Sequence, residues 1–173
     1  TPGFATPRRS GALAERGHTV YATMRGLKGK NEDKARALQD WAAKEGHSLH
    51  LLELDVNDQA SVDAAVGKAI DLGGIDLLIN NAGVGTWGID EGSSVEQAQA
   101  IFNTNLFGIM RVNHAVLPHL RERGQGAIIY ISSGLGRFVL PFMGIYTASK
   151  FAVEAYAESV HYELAPLGIG TTI

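Results

Sequence analysis

The chain has 173 residues, with 15 Lys and Arg against 18 Asp and Glu, giving a formal charge of −3. That length suits one domain with a hydrophobic core and argues against two, and 45% hydrophobic content excludes global disorder. The lack of cysteine excludes disulfides, thiolate nucleophiles and Cys-held zinc or iron–sulfur centres, and near-neutral charge without a basic block argues against nucleic acid as the main partner.

No apolar run approaches the roughly 20 residues of a membrane-spanning helix, and no charged-then-apolar leader opens the chain. A cytoplasmic location is the expectation. Both ends read as cut: the chain opens on Thr1-Pro2-Gly3-Phe4, and residues 168–173 read as a strand just starting.

In chain order, residues 6–10 read poorly as a first helical turn, and a short helix ends near Arg16 at Gly17. Residues 18–23 predict a strand. A helix follows over 32–44, with Ala35, Leu38, Trp41 and Ala42 on one side. Residues 48–54 predict the next strand. Ser61 is the expected cap of a helix that runs to about Leu72, with Asp63 in its first turn. The apolar run 75–79 predicts a strand buried on both faces. Helices are expected from Val95 to Arg123 with a break near residues 103–105, then a buried strand over 127–131. A long loop over 132–145 leads to a helix over 147–164, before Pro166. This alternation predicts an α/β doubly wound parallel sheet, as one domain over residues 1–173. Ligands of such sheets bind beyond the carboxyl ends of the strands. Arg25, Asp55, Asn80-Asn81-Ala82-Gly83 and Ser132-Ser133 all stand at strand exits.

Tyr146 and Lys150, four apart at a helix start, share one face. A phenol ordinarily ionises near pH 10, about three units too high for acid–base work at neutral pH. A neighbouring ammonium and a helix N-terminus both favour the phenolate, and a Tyr so placed exchanges a proton with a substrate hydroxyl. The same spacing also fits a surface Lys beside a half-buried Tyr. Ser133, thirteen residues before Tyr146, can polarise a carbonyl or simply shape a turn. In Asn80-Asn81-Ala82-Gly83-Val84-Gly85 the small residues let a ligand approach the backbone, and the Asn amides can pin the loop or a ribose. An ordinary turn has the same composition. Asn105 is a poor mid-helix residue and points to a local bend, a bound water or an exposed position.

These four features, in this order and at these strand exits, resemble the short-chain dehydrogenase/reductase family over residues 17–173. The family's Asn-Asn-Ala-Gly motif falls at Asn80-Asn81-Ala82-Gly83, and its catalytic Asn, Ser, Tyr and Lys at Asn105, Ser133, Tyr146 and Lys150. The resemblance implies a Rossmann-like fold in which Tyr146 is the general acid/base and Ser133 orients the substrate carbonyl. Lys150 would bind the nicotinamide ribose and lower the Tyr146 pKa, and Asn105 would hold a water in a proton relay. It also implies dinucleotide contacts from Asn81, Ala82, Gly83, Tyr146 and Lys150, and adenine contacts from Asp55 and Val56. The segment 21–25 further resembles hydroxysteroid and retinol dehydrogenases.

Cofactor choice in such folds is read just past the second strand. Arg25 stands there with no acid before Glu32, which favours NADP(H) over NAD(H). Lys28 and Lys30 add positive charge or are simply solvated. The family's glycine-rich turn survives only as Thr1-Pro2-Gly3-Phe4-Ala5, from which Gly3 is carried over, and Ala5 stands where a last glycine belongs. The family's first strand and last strand are expected to be lacking. The strands ending near Thr23 and Ile79 would then flank an open slot, and the isolated chain would be unstable or inactive.

The loop 135–143 and Trp87 are rich in apolar residues and are expected either to border a lipophilic carbonyl or alcohol substrate or to pack the domain. The helices 105–123 and 147–164 would form a homodimer or homotetramer interface. The six histidines offer no metal-ligand spacing, so no metal is expected. The leading function is an NADP(H)-dependent oxidoreductase acting on a carbonyl or secondary alcohol. The alternatives are a non-catalytic dinucleotide-binding protein and an inactive fragment.

Overall fold

The computed structural model describes residues 7–173. Helix α1 spans Pro7–Ala14. The expected poor start is corrected, because a proline at the first helical position fixes the right φ and gives up no hydrogen bond that the helix needs. Strand β1, Val20–Met24, pairs in parallel with β2, Leu49–Glu53, in the register Val20 to Leu49. Helix α2, Glu32–Glu45, joins them and buries Ala35, Leu38 and Ala42, while Trp41 stays half-buried.

Helix α3, Gln59–Leu72, starts before the expected cap. Asp58 caps it, accepting from the Ala60 N–H at 3.0 Å. Ser61 Oγ instead accepts from the Asp55 N–H at 3.0 Å. Asp63 therefore falls in the second turn, where Gln59 Nε2 donates to it at 2.8 Å. An Asp already sits at the better cap position, so the later hydroxyl is freed to hold the loop.

Strand β3, Leu77–Asn80, precedes helix α4, Val95–Phe102, which Ser94 and Gln97 open with a reciprocal capping box. A π-helical turn, Asn103–Phe107, connects α4 to α5, Gly108–Arg123. This is the break expected from the sequence. Strand β4, Gly126–Tyr130, then helix α6, Gly144–Leu164, and strand β5, Ile169–Thr172, complete the described residues. Strands β3, β4 and β5 are parallel neighbours in that order. Among the described residues β1 pairs with β2 alone and β3 with β4 alone. The sheet is thus in two parts that meet at one core, where Leu52, Leu54 and Val62 join Ile109, Val116, Ile128 and Val153.

Strand β3 is not buried on both faces. Leu77 and Ile79 are 41% and 36% exposed. Alternation puts these two side chains on one face, while α5 covers the opposite face through Asn80 and Asn113. Asn113 is fully buried. It accepts from Asn80 Nδ2 at 2.8 Å and donates to the Tyr130 and Tyr156 hydroxyls at 2.8 and 3.3 Å. Burial pushes the Tyr130 phenol up to about 12 and raises that of Tyr156.

A folded-state pKa above the ordinary 10.0 gives stability that is complete below that pH and is lost as pH climbs toward about 12. Alkaline titration should therefore show late phenolate absorbance appearing together with loss of helical circular dichroism. Ionisation of all five tyrosines near their ordinary value in a still-folded chain would contradict this packing. No helix of the described residues is long and apolar enough to cross a membrane.

Candidate active site

Parallel strands put all their carboxyl ends at one edge of a sheet, and the residues that follow β3 and β4 meet there with the start of α6. Tyr146 lies in the first turn of α6 and Lys150 one turn later. Lys150 is only 5% exposed and donates to the Ile131 carbonyl at 2.9 Å, which ties the helix to the exit of β4. Its ammonium stands 5.9 Å from the centroid of the Tyr146 ring. Burial lowers the Lys150 pKa, and the carboxylate of Glu154, a further turn along, opposes that shift by favouring the ammonium.

Sequence reading missed Glu154. It is buried and forms an ion pair with Arg137 at 2.7 Å. The signal was its position four residues after Lys150, on the same helix face.

Asn105 lies inside the π-helical turn, where the Gly108 N–H bonds to the Asn103 carbonyl five residues back. Of the three expectations for Asn105, the local irregularity is present as this turn, and the exposed position is overturned. The wider turn leaves Asn105 with no exposure. Its Oδ1 accepts from the Val84 N–H at 2.8 Å, and its Nδ2 donates to the Val84 carbonyl and to Ser149 Oγ, each at 2.9 Å. Ser149 Oγ in turn donates to the Tyr146 carbonyl at 2.7 Å. One side chain therefore fixes the loop after β3 to the helix that carries Tyr146 and Lys150.

The loop that follows Asn81 and Ala82 approaches these side chains closely. A Cβ on Gly83 would stand 3.5 Å from Asn105 Oδ1 and 3.7 Å from Lys150 Nζ, and one on Gly85 would stand 3.7 Å from the Tyr146 ring. Ser133 opens a short 3₁₀ turn, and its Oγ accepts from the Leu135 N–H at 3.2 Å. The hydroxyl hydrogen remains free for another acceptor. Among the described residues Ser133 hydrogen-bonds to neither Tyr146 nor Lys150. Its place is fixed through Ile131, two residues earlier.

The other proposed cofactor contacts gather at the exits of β1 and β2. Arg25 and Asp55 face each other at 3.5 Å, both partly exposed. Val56 links this cluster to the two ends of the π-helical turn: its carbonyl accepts from Arg111 Nη1 at 3.2 Å, Arg111 Nη2 donates to Asn103 Oδ1 at 2.8 Å, and the Val56 side chain fills the space that a Cβ on Gly108 would occupy. Glu53 is a second residue that sequence reading missed. Its carboxylate accepts from the Gly26 and Leu27 N–H groups and so shapes the loop after Arg25. Register puts Glu53 opposite Met24, beside that loop. Gly3 lies outside the described residues.

In the apolar loop 135–143 Leu135 packs into the domain, whereas Phe138, Val139, Leu140 and Phe142 are exposed. Trp87 is 71% exposed and stacks on Phe142 at 6.4 Å, and the Gly88 N–H donates to the Phe142 carbonyl at 2.9 Å. A cavity of about 360 Å³ opens between residues 86–93 and 140–145, immediately before Tyr146.

The chain matches the short chain dehydrogenase family over residues 8–173. It is 40% identical over 158 residues to a 3-ketodihydrosphingosine reductase of Bacteroides thetaiotaomicron, covering 91% of this chain and 53% of that protein. It is also 40% identical over 152 residues to human 17-beta-hydroxysteroid dehydrogenase type 1, covering 87% of this chain and 45% of that protein. Its structure resembles that of a gluconate 5-dehydrogenase from Burkholderia cenocepacia in complex with NADP and tartrate. The TM-score is 0.83 at 31% identity, over 93% of this chain and 63% of that one. The chain spans about half the length of the curated relatives it matches.

Proposed function

The chain belongs to the short-chain dehydrogenase family, and from that premise we propose that it is an NADP(H)-dependent oxidoreductase acting on a lipophilic carbonyl or secondary alcohol. The observation that carries this reading is the Tyr146 phenol beside the buried Lys150 ammonium, facing a loop that Gly83 and Gly85 leave bare.

These residues fit a dinucleotide. The space over Gly83 is one that a Cβ would fill, next to the Lys150 ammonium and the Asn105 amide, and an exposed guanidinium stands at the exit of β1. Lys150, Asn81, Ala82 and Gly83 would hold the nicotinamide ribose, Asp55 and Val56 the adenine, and Arg25 a 2′-phosphate. The bound nicotinamide supplies or accepts the hydride.

This chain's own residues do the rest. Tyr146 gives its hydroxyl proton to the substrate oxygen in reduction and takes it back in oxidation. Ser133 turns its free hydroxyl hydrogen on the same oxygen and orients it. Lys150, held on the Ile131 carbonyl, keeps a positive charge beside the phenol. Asn105 keeps the loop at van der Waals distance from both.

Titration of the chain with NADPH and NADH tests the cofactor half of this reading. NADPH should bind more tightly, and Arg25→Ala should remove about tenfold of that preference by deleting one charge-assisted phosphate contact. Breaking the Arg25–Asp55 pair should cost little stability, because both partners are partly exposed. Equal affinity of the unaltered chain for the two dinucleotides would withdraw the assignment of NADP.

A further inference from the structure

The cavity before Tyr146 has mostly apolar walls, from Ile89, Leu140, Pro141, Phe142 and Ile145. Thr86 and Ser93 add hydroxyls. Among the described residues that line it, Asp90 alone carries a charge. Asp90 opens the short 3₁₀ turn Asp90–Gly92, whose backbone bonds are closed internally by Gly92 to Ile89 and Ser93 to Asp90. Among the described residues no ion pair or side-chain hydrogen bond engages its carboxylate. The next residue, Glu91, lies outside the lining and adds negative charge rather than neutralising it.

Asp90 is solvent-exposed, so its carboxylate stays hydrated, and a cationic group brought to it from the cavity gains a screened attraction that an alkyl group does not. A ligand that fills this cavity is therefore favoured if it brings a hydrogen-bond donor to that point. A charged donor is favoured over a neutral one, since charge-assisted bonds are roughly twice as strong as neutral ones. We propose that the substrate of this site is an apolar carbonyl or alcohol compound that also carries a cationic nitrogen, and that Asp90 is the residue that selects it. The proposal rests on the oxidoreductase reading for the reacting group, but the recognition of the cation does not depend on turnover.

The test is calorimetric titration of the full chain with three probes of equal length: octylammonium, 1-octanol and octanoate. Octylammonium should bind about two- to fivefold more tightly than octanol, and octanoate should bind most weakly. Asp90→Asn should bring octylammonium and octanol to the same affinity. The exposed Asp90 makes no contact that folding needs, so the thermal midpoint of this variant should be unchanged. Glu91→Gln should keep the preference, because Glu91 does not line the cavity.

Equal binding of octylammonium and octanol by the unaltered chain, or no binding of any probe, would overturn the proposal. So would an equal loss in Glu91→Gln, which would mark a diffuse field rather than a site. The two readings fail separately. An amine preference without any carbonyl turnover would sink the oxidoreductase reading alone. Turnover of apolar ketones without an amine preference would sink this proposal alone.

Discussion

Replacing Tyr146 by Phe is expected to lower carbonyl turnover by a factor of about 10²–10⁴, the usual contribution of a positioned acid–base group, while leaving NADPH affinity and thermal stability unchanged. The geometry separates these effects. Among the described residues the Tyr146 hydroxyl has no hydrogen-bond partner, so its removal orphans no buried group. The ring contacts survive in Phe: the ring remains against Gly85 and below the Lys150 ammonium. The backbone carbonyl that Ser149 bonds is also untouched. The variant is therefore a probe of the proton alone. Steady-state reduction of a lipophilic ketone, paired with NADPH titration and thermal unfolding, reads all three quantities. Full turnover by the variant would remove Tyr146 from the acid–base role. Tight NADPH binding by both forms with turnover by neither would favour the non-catalytic dinucleotide-binding alternative.

The parts of this site legible in the sequence are those set by local spacing. Tyr146 and Lys150 share a helix face because of a fixed period, and the break near Asn105 follows from residues that fit poorly in a helix. The strand exits follow from the parallel alternation. Other features are set by contacts between elements distant in the chain. Glu53 shapes the loop after Arg25 only because β1 and β2 pair in one particular register. Glu154 matters because Arg137, from the loop after β4, folds onto it. The cap of α3 was misplaced by a local ambiguity: Asp58 and Ser61 are both good caps, and the one not used holds Asp55 instead. For β3 the composition was read correctly but the burial was not. An all-apolar strand says nothing about which of its faces a helix will cover, and Leu77 and Ile79 are on the face that α5 does not cover.

The largest stability effect should come from Asn105. In Asn105→Ala the N–H and carbonyl of Val84, a residue 37% exposed, lose their partners, and the fully buried Ser149 Oγ loses its donor. Three hydrogen bonds worth about 1 kcal/mol each, together with the space left by a fully buried side chain, give an expected total near 2–4 kcal/mol. For a chain of this size that lowers Tm by roughly 4–16 °C.

Asn105→Asp distinguishes lost polar contacts from lost volume. It preserves the shape and still accepts from the Val84 N–H, but it sets a carboxylate against the Val84 carbonyl and buries a negative charge. If hydrogen bonding dominates, Asp should be no better than Ala; if filling the space dominates, Asp should restore most of the stability. Ser149→Ala removes one of the three bonds together with the Ser149 bond to the Tyr146 carbonyl, and should cost about 1–2 kcal/mol. The functional consequence follows from the same contacts, because Asn105 holds Gly83 and Gly85 against Lys150 and Tyr146. A loop released from that anchor must be ordered again by the ligand, so NADPH affinity should fall along with Tm in Asn105→Ala and hold in Tyr146→Phe. A Tm and an NADPH affinity both unchanged in Asn105→Ala would mean that the loop is held by something other than this amide.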